Sequence, residues 1–226
     1  MAASNDFIFP LIRFLSRPVT GVLARLPFSA NQITAGSMVL GLLASWAAAQ
    51  ATWGWSVGAG LLMVATYILD NCDGEIARLK NQCSPFGMYF DSFVDWVVHT
   101  VFFWALGYGM AVATGQAFWH WMGLAAAAGG TINYGLGFVL AARDRAAKGD
   151  AYDPTGRDAA ENPHYPQNAW EWALFALREL TRADFCFIVL ALALFDVLWV
   201  LVPAGAVGAQ AYWMAALVKR AREFHV

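Results

Sequence analysis

Asp70, Asp73, Asp91 and Asp95 fall within one stretch of 26 residues, DNCDGEIARLKNQCSPFGMYFDSFVD. The first pair is spaced i,i+3 and the second i,i+4, so on helices each pair shares a face. Between them, Ser84, Pro85 and Gly87 signal a tight turn. Two helices joined this closely run antiparallel as neighbours, which lets the pairs converge. Four carboxylates in a small volume repel one another, and either protonation or a divalent cation relieves this. All-oxygen ligands suit Mg2+ or Mn2+, and four carboxylates suit a pair of ions. Such a site handles phosphoryl or nucleotidyl chemistry. The ions draw charge from a diphosphate, and a carboxylate accepts the proton of an attacking hydroxyl. Gly74 and Gly87 leave room for a ligand to approach the backbone.

The elements that must position these residues are strongly apolar. Of 226 residues, 59% are hydrophobic and 13% charged, and the mean hydropathy is +0.49. Soluble domains carry about 25% charged residues, so this composition points to a polytopic membrane protein. Hydropathy gives six candidate spans, at 32–52, 55–74, 87–113, 117–142, 183–202 and 203–220. Each approaches the ~20 residues that a helix needs to cross the hydrocarbon core. The last boundary is placed near Pro203, Gly205 and Gly208. Period-2 alternation is missing, which argues against a β-barrel. All 14 Lys and Arg fall before the first span, between the second and third, between the fourth and fifth, or at and beyond the end of the sixth. The positive-inside rule then places both termini and the aspartate segment on the cytoplasmic side. Aspartates at that depth cost roughly 2.5–3.5 kcal/mol each. One or two could simply reach for water; two facing pairs call for a function.

The expected fold is therefore all-α, a six-helix membrane bundle forming one domain over 1–226. Residues 1–30 read as an interfacial N-terminal segment. Phe7, Ile8, Leu11, Ile12, Leu15, Val19 and Leu23 give it an apolar face, and Arg13, Arg17 and Arg25 interrupt that face. It lacks the pattern of a cleaved signal peptide. Residues 143–181 read as a cytoplasmic loop, with a short interfacial helix from Asn168 to Leu180. Cys72, Cys83 and Cys186 lie near the cytoplasmic face, where no disulfide is expected. The four His are scattered and suggest no zinc site. A net charge of −2 says little about partners, and no nucleic acid is expected among them.

The aspartate spacing resembles the signature of the CDP-alcohol phosphotransferase family, D-x-x-D-G-x-x-A-R-x8-G-x-x-x-D-x-x-x-D. Asp70, Asp73, Gly74, Ala77, Arg78, Gly87, Asp91 and Asp95 match every fixed position and every gap. SANQIT, from Ser29 to Thr34, resembles the family's P-N-x-x-T element, with Ala30 in place of the proline. The resemblance implies that Asp70, Asp73, Asp91 and Asp95 hold two divalent ions, with Asp95 also the general base. It implies that Gly74, Ala77 and Gly87 line the CDP pocket and that Asn31 and Thr34 close it. Arg78 would face the diphosphate or, alternatively, form an ion pair locking two helices. The implied reaction is attack of an alcohol on the β-phosphorus of a CDP-linked donor, releasing CMP. The resemblance also implies a homodimer.

An in-membrane site favours CDP-diacylglycerol as donor, hence phospholipid biosynthesis. A soluble donor such as CDP-inositol, with a polyol-phosphate acceptor, is the alternative within the class. The rival from another class is a divalent-cation transporter, and the intact signature argues against it. Arg143, Arg145, Arg178 and Arg182 bracket the cytoplasmic mouth and are candidates to bind an acceptor phosphate, although topology alone would place them there. Asn133 and Tyr134 read as helix-packing residues, and AAAAGG and GLG in the fourth span as close helix contacts. Asp196 reads as a cap or partner within the bundle on the far side.

Overall fold

The computed structural model describes residues 11–148 and 185–223. Among the described residues the protein is all-helical. The elements are α1 (Leu11–Leu23), α2 (Ala30–Ala48), α3 (Trp53–Leu79), α4 (Pro85–Thr114), α5 (Ala117–Lys148), α6 (Phe185–Leu194) and α7 (Leu201–Glu223). A 3-10 turn, Leu198–Val200, leads into α7.

Local chemistry sets the helix ends around the aspartates. Ser29 caps α2 in a capping box: its hydroxyl accepts from the Gln32 amide at 3.3 Å, and its own amide donates to Gln32 Oε1 at 2.9 Å. Ser84 caps α4 by accepting from the Gly87 amide at 3.0 Å, and Pro85 follows in the first turn, where no amide donor is needed. Asn81, at φ +52°, turns the chain between α3 and α4. Gly115, at φ +70°, ends α4.

α2 packs on both α3 and α4, α1 and α6 flank α3, and α5 lies between α4 and α7. The main core joins Ala44 and Ala48 of α2, Met63 of α3, Val98 and Phe102 of α4, Val189 of α6 and Val202 of α7. A smaller core of Ile33, Cys72 and Ile76, edged by Val19 and Leu23, lies under the aspartate end of α3. α1 buries Ile12, Ser16 and Thr20 and leaves Leu11, Phe14 and Val22 exposed. All three cysteines are free. Tyr134 packs as expected, stacked on Trp96 at 5.2 Å. Gly129 of AAAAGG meets Ala209 and Gln210 of α7, whereas Gly135 and Gly137 face open space.

Pro85–Thr114 and Ala117–Arg143 are long and apolar enough to cross a membrane. The boundary expected near Pro203, Gly205 and Gly208 lies instead at 195–197. Asp196 takes a left-handed φ of +59° there, exposed in the turn rather than paired inside the bundle. Aspartate tolerates this conformation better than most residues. Pro203 sits in the first turn of α7, where its missing amide costs nothing. α5 runs past residue 142 to Lys148, carrying Arg143 and Arg145 with it. Residues 1–10 and the expected interfacial helix at 168–180 lie outside the described residues.

Candidate metal and nucleotide site

α3 supplies Asp70 and Asp73, and the second turn of α4 supplies Asp91. One carboxylate oxygen from each lies within 4.8 Å of the others. Asp73 is buried at 6% exposure, while Asp70 and Asp91 are half-buried. Thr34 of α2 holds Asp73 from the side, its hydroxyl lying between the Asp73 carboxylate and the Ala30 carbonyl at 3.1 Å. The donor set is all oxygen and three-fold anionic. It fits a hard divalent cation, and it offers no nitrogen or sulfur to favour a softer one. Asp95 is not within this close group; it lies exposed one turn further along α4, where its charge still acts on Asp70 and Asp91.

The glycines line the same region. A Cβ at Gly87 would lie 3.3 Å from Asn31 Oδ1, so α2 and α4 meet closely there. A Cβ at Gly74 would find only the Arg78 guanidinium, at 3.6 Å, so space is open above this turn. Ala77 is half-buried and Arg78 exposed. Arg78 forms no ion pair among the described residues, so nothing there supports the helix-locking alternative. Arg143 and Arg145 are exposed on α5. Phe138 of α5 packs beside Tyr89 of α4 at 6.0 Å, which puts these arginines at the aspartate end of the bundle. Arg178 and Arg182 lie outside the described residues.

Several contacts that hold the site were not anticipated from the sequence. Lys80 Nζ donates to the carbonyls of Leu26 and Phe28 at 2.7 and 2.9 Å. Gln82 Oε1 accepts from the Ala30 amide at 2.9 Å. A proline at position 30 would have no hydrogen to give, so alanine here permits a bond that the resembling element cannot make. Thr20 of α1 donates to Glu75 at 2.6 Å. Together these bonds pin the α1–α2 connection to the end of α3, and so set Thr34 against Asp73 and Asn31 beside Gly87. The only sequence signal was proximity to the signature, because the partners lie some 50 residues apart.

The sequence profile of the CDP-alcohol phosphatidyltransferase family matches residues 28–194, a range that contains the carboxylate trio, Asp95 and the α2 residues facing them. The chain belongs to this family. Family membership agrees with the divalent-metal site indicated by the three aspartates. Two curated relatives are CDP-diacylglycerol–serine O-phosphatidyltransferases of Helicobacter pylori. That of strain J99 is 42% identical over 71 residues, 31% of this chain and 29% of the relative. That of strain 26695 is 43% identical over 65 residues, 29% of this chain and 26% of the relative. The match thus spans less than a third of either relative.

Proposed function

We propose that this family member is an integral membrane phosphatidyltransferase that moves a phosphatidyl group from CDP-diacylglycerol to an alcohol, in phospholipid synthesis. The observation that carries this reading is the carboxylate trio, set beside an open turn at Gly74 within a family-matched segment. The names of the two relatives favour CDP-diacylglycerol over a soluble donor and make serine the first acceptor to test.

Asp70, Asp73 and Asp91 would hold Mg2+ or Mn2+, and Asp95 would lend its charge to a second ion. When bound, these ions neutralise the diphosphate and stabilise the leaving phosphate. Thr34 keeps Asp73 oriented by hydrogen bonding to its carboxylate. Gly74, Ala77 and Gly87 leave space for the cytidine, which Asn31 borders. The exposed Arg78 is free to meet the diphosphate, and Arg143 and Arg145 an anionic acceptor. Asp95 takes the hydroxyl proton of the alcohol as its oxygen bonds the β-phosphorus. The bond from that phosphorus to the bridging oxygen breaks, CMP departs, and a phosphodiester remains.

In this reading the bundle crosses the membrane six times, with both termini and the aspartates on the cytoplasmic side, where all Lys and Arg fall. α1 lies along the cytoplasmic leaflet through Leu11, Phe14 and Val22, beside Arg13 and Arg17. The working form is a homodimer, a point that rests on the family resemblance alone.

The test is CMP release by the purified protein from CDP-diacylglycerol, with serine and other alcohols, against soluble CDP-alcohols. Release with the lipid donor that stops in excess chelator and returns with Mg2+ or Mn2+ is the expected result. Full turnover after dialysis against EDTA removes the metal reading. Single cysteines at positions 53, 115 and 196 should be labelled only from the side opposite the aspartates; cytoplasmic labelling of position 53 removes the six-span arrangement.

A further inference from the structure

We propose that Tyr67 and His99 are positioning residues that hold the α4 turn carrying Asp95 against the α3 turn carrying Asp70. This inference rests on the phosphatidyltransferase reading above and deepens it. Tyr67 precedes Asp70 by three residues, and His99 follows Asp95 by four. Both therefore sit one turn deeper in the bundle than the carboxylates. Tyr67 Oη lies 2.7 Å from His99 Nε2, and His99 Nδ1 lies 2.7 Å from the backbone carbonyl of Asp95.

The chemistry of the carbonyl fixes the direction of one bond, and the tautomer it selects gives the other. A carbonyl only accepts, so Nδ1 carries the imidazole hydrogen and donates it to Asp95. Nε2 of the neutral ring then presents a lone pair, and the Tyr67 hydroxyl donates to it. The imidazole is also held by ring contacts, with Tyr67 at 5.9 Å and with Phe185 of α6 at 5.8 Å. Three helices thus converge on one side chain. The buried Tyr67 hydroxyl is within electrostatic range of both Asp95 and Asp70.

Asp95 needs such a hold. Its side chain is exposed and makes no hydrogen bond among the described residues, so its backbone alone places it. Asp73, by contrast, is fixed directly by Thr34. The Asp95 carbonyl has two lone pairs; the helix uses one, and His99 takes the other. The line from Tyr67 through His99 to Asp95 registers the proposed base against the carboxylate trio.

Three variants of the full chain, assayed with CDP-diacylglycerol, serine and saturating Mn2+, test this. Should serine be inert, the fastest alcohol from the acceptor panel replaces it. Tyr67→Phe and His99→Asn both remove the bond between α3 and α4, and Asn still reaches the Asp95 carbonyl. His99→Gln keeps an acceptor for Tyr67 but releases that carbonyl. Each should lower kcat about tenfold, as expected for a small misplacement of a reacting group. The donor KM and the Mn2+ requirement should stay within about twofold, since the trio is untouched. The double variant Tyr67→Phe/His99→Asn should be no slower than either single one. Wild-type kcat in His99→Gln would reduce the pair to a packing contact and overturn the proposal. So would wild-type kcat in Tyr67→Phe, or a KM rising in step with the loss. Tyr67→Phe keeps every ring contact and decides the matter if a His99 variant fails to fold. A wild-type protein that releases no CMP from any donor overturns the function itself, before any variant is made.

Discussion

The two ends of the bundle are held by opposite means. At the far end the backbones nearly touch. A Cβ at Gly107 of α4 would lie 2.7 Å from Gly123 Cα and from the Trp119 carbonyl on α5, and one at Gly109 would lie 2.5 Å from the Ala49 carbonyl. At the aspartate end, a Cβ at Gly74 would meet nothing closer than 3.6 Å, and the helices are joined by bonds from Thr34, Tyr67, Lys80 and Gln82. Steric contact fixes helices cheaply but leaves no room. A site needs room, so directional polar bonds replace contact where carboxylates must face a ligand. The far end is closed by contact, and the aspartate end is left open between its bonded helices like jaws.

The largest effects should come from within the jaws. Asp70→Asn removes ligand charge and should weaken metal and donor binding together by at least about tenfold, since even outer-shell partners of a metal carry ~10–100-fold. Asp95→Asn should leave the affinity for the CDP-donor with Mg2+ nearly intact and cut kcat by about 10²–10⁴-fold, the usual contribution of a positioned base. CDP affinity and CMP release at saturating donor, measured on both variants, separate the roles. If Asp95→Asn loses CDP as fully as Asp70→Asn, Asp95 is a metal ligand and another group takes the proton.

A pair of matched glycine substitutions probes the contrast between the ends directly. Gly107→Ala forces a methyl group into backbone and should cost about 1–3 kcal/mol of stability, in line with overpacking elsewhere. The fraction that folds should keep its kcat. Gly74→Ala meets open space and should leave the unfolding midpoint unchanged while raising the donor KM, because the methyl group enters the proposed nucleotide pocket. Thermal unfolding in detergent and a donor titration of both variants would check this. Equal destabilisation by the two would erase the distinction between contact and jaw.

Much of this was legible beforehand because it depends on spacing within one helix. The aspartate pairs and the helix-forming runs repeat with helical period, and a period survives in the sequence. Relations between helices do not. Tyr67 with His99, and Gln82 with Ala30, are residues of ordinary type 32 and 52 positions apart, paired only once the helices dock. The same limit explains Asp95. Its i,i+4 spacing puts it on the face of Asp91 but about 6 Å further along the axis. The trio at the level of Asp91 closes without it. The break at 195–197 was hidden for another reason: Pro203, Gly205 and Gly208 are louder signals than one aspartate in a left-handed turn.

The smallest expected effect concerns the outer edge of the jaws. Lys80 reaches back from the end of α3 to two carbonyls in the α1–α2 connection, the stretch that feeds directly into Asn31 and Thr34. A methionine there keeps most of the apolar stem and loses the charge-assisted bonds. Lys80 is part-exposed, so water replaces much of what is lost, and about 0.5–1 kcal/mol of positioning should disappear. This corresponds to a rise of roughly two- to five-fold in the donor KM. kcat should hold, because neither the trio nor Asp95 is touched. A donor titration of Lys80→Met at saturating metal reads both numbers. A fall in kcat with constant KM would mean that the connection governs the chemical step rather than the closing of the nucleotide site, and α2 would then belong with Asp95 rather than with the pocket.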